Sequence, residues 1–101
     1  KYPQLKAYAH LQAANIAFQN ELDDKALANY ELVIKELESK QYDEDEKGYL
    51  MQAYKNAGYI YWGSKKDLTT AQPYFEKLIK LDPNNSLAKK ALGLDEEQQA
   101  Q

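Results

Sequence analysis

Ala26, Leu27, Tyr30, Val33, Ile34 and Leu37 recur at intervals of three and four residues, the period of one buried helical face. Nowhere does the chain alternate over six residues with β-branched side chains, as a half-buried strand would. Alanine, leucine, lysine, glutamate and glutamine fill the stretches around this segment, and these are good helix formers. The chain is therefore expected to be all-α, and its organisation lies in where the helices start and stop.

A first helix is predicted from about Pro3 to Asn20, with proline tolerated in the first turn. It carries Leu5, Tyr8, Leu11, Ile16 and Phe18 among alanines (7, 9, 13, 14 and 17) that let a neighbour approach closely. Asp23 or Asp24 is the expected N-cap of a second helix, running from about Asp24 to Ser39. Asp43 followed by Glu46 has the spacing of a capping box and opens a third helix that reaches about Gly63. Asp67 is expected to cap a fourth, ending near Leu81, with Pro73 in its early turns, where a missing amide costs less than at mid-helix. Asp82-Pro83-Asn84-Asn85 reads as a turn, and a last helix starts near Ser86 and frays after Asp95. Five helices joined by short turns imply antiparallel neighbours.

At 101 residues, one domain with a modest core is the default. The net charge is −3, and all 13 cations are lysines. Without arginine there is no bidentate fork for guanine or phosphate, so nucleic acid is not an expected partner. No apolar run approaches the roughly 20 residues of a membrane span. With no cysteine there is no disulfide framework and no thiolate metal site or nucleophile, and the compartment stays open. Nothing at the N-terminus resembles a signal peptide.

The second half carries a more specific pattern. Asn56-Ala57-Gly58-Tyr59-Ile60-Tyr61, then Ala71-x-x-x-Phe75, then Leu81-Asp82-Pro83 together resemble a tetratricopeptide repeat. Ala71 lies one residue further from Tyr61 than the family pattern has it, read as one extra residue in the turn at 63–66. A weaker copy precedes it, with Ala13-Ala14-x-x-Ala17 and Ala26-x-x-x-Tyr30, and Leu92-Gly93 looks like the start of a third. The resemblance implies antiparallel helix pairs stacked as a short right-handed superhelix of about five helices. Residues 1–42 would form a first, elongated repeat, 43–83 a second, and 84–101 a C-terminal capping helix. Ala14, Ala26, Gly58 and Ala71 would be the small contacts at the helix crossings, and Tyr30, Tyr61 and Phe75 the filling around them, with Pro83 closing the repeat. Ala14 to Gly58 exceeds the family's repeat length, so the second and third helices are each expected to be longer than usual. Tyr2-Pro3 falls close to where the closing proline of a preceding repeat would be, or is simply a helix-starting proline.

By the same resemblance, a concave face lined by the first helix of each pair would bind partners. It would present Tyr8, Leu11, Asn15, Phe18, Gln52, Lys55, Tyr59, Trp62 and Lys90, with inter-helix packing as the alternative role of Phe18, Tyr59 and Trp62. A known subtype clamps acidic chaperone tails with lysines, asparagines and an arginine. Asn15, Asn56 and Lys90 occupy matching places, but Leu11 and Leu94 replace two of the cations, leaving a poor carboxylate clamp.

Catalysis has little support: His10 is the sole histidine, and Ser39, Ser64 and Ser86 read as helix-end residues. The run Asp43–Gly48 departs from the calcium-loop template, with Lys47 at a ligand place and Tyr54 where the bidentate glutamate belongs, and an acidic first helical turn accounts for it. Asn84-Asn85-Ser86 is formally a glycosylation sequon and also suits a turn. The expectation is a non-enzymatic interaction module without cofactor or metal, binding a protein or peptide. The alternative is a structural spacer that self-associates weakly through exposed repeat ends.

Overall fold

The computed structural model describes residues 3–94, with side chains from residue 6 onward. Tyr2, the side chain of Leu5 and the fraying after Asp95 lie outside what is described. Five α-helices follow one another: α1 (Pro3–Gln19), α2 (Asp23–Glu38), α3 (Glu44–Tyr59), α4 (Leu68–Leu81) and α5 (Ser86–Ala91). No strand occurs among the described residues. Consecutive helices pack side by side, and α1 also touches α3. One layer thus holds α1, α3 and α5, and a second holds α2 and α4.

The helix ends follow from local chemistry. Asp43 caps α3 with the box its spacing predicts: its carboxylate accepts the Glu46 amide at 2.8 Å, and its own amide donates to Glu46 at 3.1 Å. Glu46 is only 3% exposed, and its other carboxylate oxygen accepts from Lys40 Nζ at 2.8 Å, so this buried charge is fully partnered. Asp67 caps α4 by accepting from the Thr70 amide. At α2 the cap position falls instead to Leu22, which offers no side-chain bond. Asp23 and Asp24 sit in the first turn, where they oppose the helix dipole. The reason lies just upstream: Glu21 takes a left-handed conformation (φ 60°), and Leu22 N–H returns to the Ala17 carbonyl at 2.9 Å. That closure of α1 leaves no linker for a separate cap.

The third helix does not stay α-helical to Gly63. From Ile60 to Ser64 it widens into a π-helix, with Lys65 N–H bonded to the Ile60 carbonyl at 3.0 Å. The extra residue between Tyr61 and Ala71 is thus taken up within the helix rather than only in the turn after it.

The core runs through both layers. Leu11, Tyr30, Val33, Leu37, Leu50, Ile60, Phe75 and Leu78 are its largest fully buried side chains. Ala14, Ala26, Ala53, Ala57, Ala71 and Ala88, all 0% exposed, bring the backbones close. At Gly58 the approach is closer still: a Cβ there would lie 2.9 Å from Cζ of Phe75, inside van der Waals contact.

Candidate functional site

The seam between α1 and α3 gathers most of the expected groove residues. At one end Tyr8 meets Tyr49, ring centroids 5.5 Å apart and tilted by 46°. At the other, Phe18 meets Tyr59 edge-on at 6.1 Å. Between them Asn15 Nδ2 donates to Gln52 Oε1 at 3.4 Å. Tyr8 and Tyr59 are 43% and 44% exposed, so each offers a face to solvent after its ring contact is made. Gln52 and Lys55 are exposed on α3, and Lys90 on α5. Tyr49 was not among the sequence-derived groove residues. Its signal was its place one helical turn before Gln52, on the same face.

Two expected members sit differently. Leu11 is 2% exposed and belongs to the core, so its side chain gives a groove no surface; Ala7, Ala14 and Ala17 flank it on the same buried stripe of α1. Trp62 is half-buried and stands edge-on to Phe75 at 5.8 Å, packed inside the α3–α4 pair.

Beneath the seam lies a polar node. The Tyr30 hydroxyl donates to Asn15 Oδ1 at 2.5 Å and accepts from Asn56 Nδ2 at 2.8 Å. Burial raises the Tyr30 hydroxyl's pKa, and the Asn56 bond lowers it by less, so it stays a neutral hydroxyl joining α1, α2 and α3. The two asparagines of the clamp pattern are therefore turned to an internal partner. With Leu11 buried as well, nothing here assembles a carboxylate clamp.

The residues at the helix crossings are placed as follows. Ala14, Ala26 and Ala71 are buried, as are Gly58, Tyr30 and Phe75. Tyr61 is half-buried and stacks on Tyr74 at 5.7 Å. Pro83 is exposed in the turn between α4 and α5.

The second layer has a cleft of its own, which the sequence pattern did not reveal. About 570 Å³ opens between α2 and α4, lined by Glu31, Ile34, Glu38, Pro73, Tyr74 and Lys77 among others. Tyr74 donates to Glu31 and Tyr54 to Glu38, and Lys77 Nζ reaches Glu38 at 3.1 Å. Burial pushes the Glu31 carboxyl up, opposed by the nearby Lys77. Burial also raises the Tyr54 hydroxyl, helped by its carboxylate partner. These contacts tie α2 to α3 and α4 and leave the cleft bridged rather than free.

His10 lines a shallow pocket with Lys6, Leu32, Lys35, Glu36 and Ser39. The acidic run from Asp43 is absorbed by the α3 cap, and no group of three or more His, Cys, Asp or Glu side chains placed to hold a metal occurs among the described residues. Asn85, the middle residue of the sequon, caps α5 by accepting the Ala88 amide at 3.0 Å.

Residues 51–85, about a third of the chain, match the family described as tetratricopeptide repeat. That segment spans most of α3, the π-helical stretch, α4 and the turn before α5, and the all-helical architecture around it agrees. Among curated proteins and solved structures, none matches the chain. A tetratricopeptide repeat is, in general, a protein-interaction module.

Proposed function

We propose that the chain binds an extended peptide segment of a protein partner along the α1–α3 seam, a binding role rather than a catalytic one. The observation that carries this reading is the pair of aromatic contacts, Tyr8–Tyr49 and Phe18–Tyr59, each leaving a tyrosine over two-fifths exposed. Partly exposed rings on a rigid helical frame lose little entropy on binding and supply most of the contact area in such interfaces. Tyr49 and Tyr59 are ten positions apart on α3, so the two contacts are separated by about 15 Å. An extended chain covers that distance in about four to five residues. Asn15 and Gln52 lie between, joined only by a long hydrogen bond that a peptide backbone can replace. Lys55 adds a cation beside them. The same reading takes residues 1–42 and 43–83 as two repeats, the first elongated, and 84–101 as the closing segment.

The test is selection of peptides from a random displayed library on the chain, followed by Tyr8→Ala and Tyr59→Ala. Both changes should weaken the selected peptides about tenfold or more while circular dichroism stays unchanged. Tyr74→Ala, in the other layer, should leave binding intact. Peptides that ignore both seam changes would overturn the proposal.

A further inference from the structure

A surface asparagine can turn its carboxamide over and offer either an N–H or a C=O group at the same place. The Asn15 carboxamide is held against that. The Tyr30 hydroxyl has a single hydrogen. Its oxygen accepts from Asn56 Nδ2 at 2.8 Å, so the hydrogen goes to its other neighbour, Asn15, at 2.5 Å. The two lengths fit the assignment, because an O–H···O bond is shorter than an N–H···O bond. Asn56 Nδ2 also comes to 3.4 Å from the same Asn15 oxygen. Turning the Asn15 amide over by itself would bring its N–H groups against those of Asn56. It would also leave the Tyr30 hydrogen without an acceptor, at a residue that is 0% exposed. The Tyr30 ring is itself fixed, buried and edge-on to Phe18 at 6.4 Å. The Asn15 oxygen therefore points inward, and its Nδ2 points to the seam, where Gln52 Oε1 stands at 3.4 Å.

We propose that Tyr30 is a positioning residue for the α1–α3 seam. Its buried hydroxyl fixes the Asn15 carboxamide with the N–H group outward, so the middle of the seam takes a backbone carbonyl oxygen of the peptide. This rests on the reading of the seam as a peptide site. Gln52 fills the acceptor's place in the free chain. It is exposed, and its bond to Asn15 is long, so it can withdraw and be replaced acceptor for acceptor. A peptide N–H brought to the same point would meet a donor and be rejected. The asparagine supplies the contact, and a tyrosine on another helix decides which of its two groups is presented. A preset donor also spares the cost of ordering a free side chain when the peptide arrives.

The first measurement needs no peptide. Side-chain ¹⁵N relaxation on the whole chain should show the Asn15 carboxamide as rigid as the backbone of α1. Tyr30→Phe should loosen that one group and leave the backbone amides of α1 and α3 ordered. The second uses peptides selected on the chain from the displayed library. Tyr30→Phe and Asn15→Ala should each weaken them about five- to tenfold, and the double variant should bind no worse than Asn15→Ala alone. Asn15→Asp keeps an oxygen for the Tyr30 hydroxyl but puts a second oxygen at the seam, so it should bind at least as weakly as Asn15→Ala.

An Asn15 carboxamide that is mobile in the unaltered chain would overturn the proposal. So would a Tyr30→Phe loss of the same size with Asn15 and without it, which marks a structural effect alone. Binding retained by Asn15→Asp would mean that the amide faces the other way. Peptides that need Tyr8 and Tyr59 but ignore Asn15→Ala would sink this inference and leave the seam standing. Peptides indifferent to Tyr8 and Tyr59 would sink both.

Discussion

Tyr30 in the α1–α2 pair and Phe75 in the α3–α4 pair hold equivalent stations and differ by one oxygen. Each is 0% exposed and sits near a small residue of the preceding helix, Ala14 or Gly58. Each meets, edge-on, an aromatic four positions after that residue: Phe18 at 6.4 Å for Tyr30, Trp62 at 5.8 Å for Phe75. The residue after the small one differs in kind, Asn15 in the first pair and Tyr59 in the second. Asn15 accepts the Tyr30 hydroxyl and, with Asn56, extends the first pair's core into a hydrogen-bonded link to α3. Tyr59 turns outward to the seam, and Phe75 needs no polar partner. One pair uses this position to hold its neighbour and the other to present a ring to solvent, so a packing position and an exposed aromatic position are one substitution apart.

The comparison can be broken most forcefully at Phe75. Phe75→Ala empties the space above Gly58 and beside Trp62 and should cost about 3–5 kcal/mol, read as a lower urea midpoint. Next is the exchange of the oxygen. Phe75→Tyr drives a hydroxyl toward Gly58 with no amide to receive it and should cost about 2–4 kcal/mol. Tyr30→Phe leaves Asn15 and Asn56 short of a partner and should cost about 1–2 kcal/mol. Equal costs for the two changes would mean that the hydroxyl network does not distinguish the pairs.

A finer contrast separates two glycines of α3. Gly58→Ala places a Cβ 2.9 Å from the Phe75 ring and should destabilise by about 1–2 kcal/mol despite alanine's better helix propensity. Gly48→Ala, with nothing within 4 Å, should stabilise by about 0.5–1 kcal/mol. Both are measured by chemical denaturation.

The smallest expected effect is at the start of α4. The Thr70 hydroxyl and amide hold the Asp67 carboxyl below its ordinary 3.8. Because the folded value is the lower one, the cap is at full strength above the unfolded value and fades as pH falls through the folded value. Amide exchange in the first turn of α4 should quicken over that window, and Asp67→Asn should flatten the change.

The residues that made the fold readable act locally. Asp43 with Glu46, Asp67 with Thr70 and the three-and-four spacing of α2 each depend on neighbours within one or two turns. What stayed hidden depends on distant partners. Asn15 and Asn56 matched a clamp pattern, and only the reach of Tyr30 across two helices reveals their use. The family resemblance put Leu11 in the groove, and a resemblance names a helix face without saying how deeply a neighbour covers each residue on it. The α2–α4 cleft needs Glu31 and Glu38 to meet tyrosines from two other helices, which no local window contains. At α2 the aspartates pointed to a cap, and the left-handed turn at Glu21 moved that boundary by a residue.

The π-helical stretch from Ile60 to Ser64 holds one residue more than an α-helical path between the same ends would need. The helix therefore contains slack. Deleting one residue there lets the coil tighten to α geometry while Gly58 stays under Phe75 and Asp67 stays at the head of α4. A one-residue change at this point should be absorbed by winding, leaving the packed pair on either side in place.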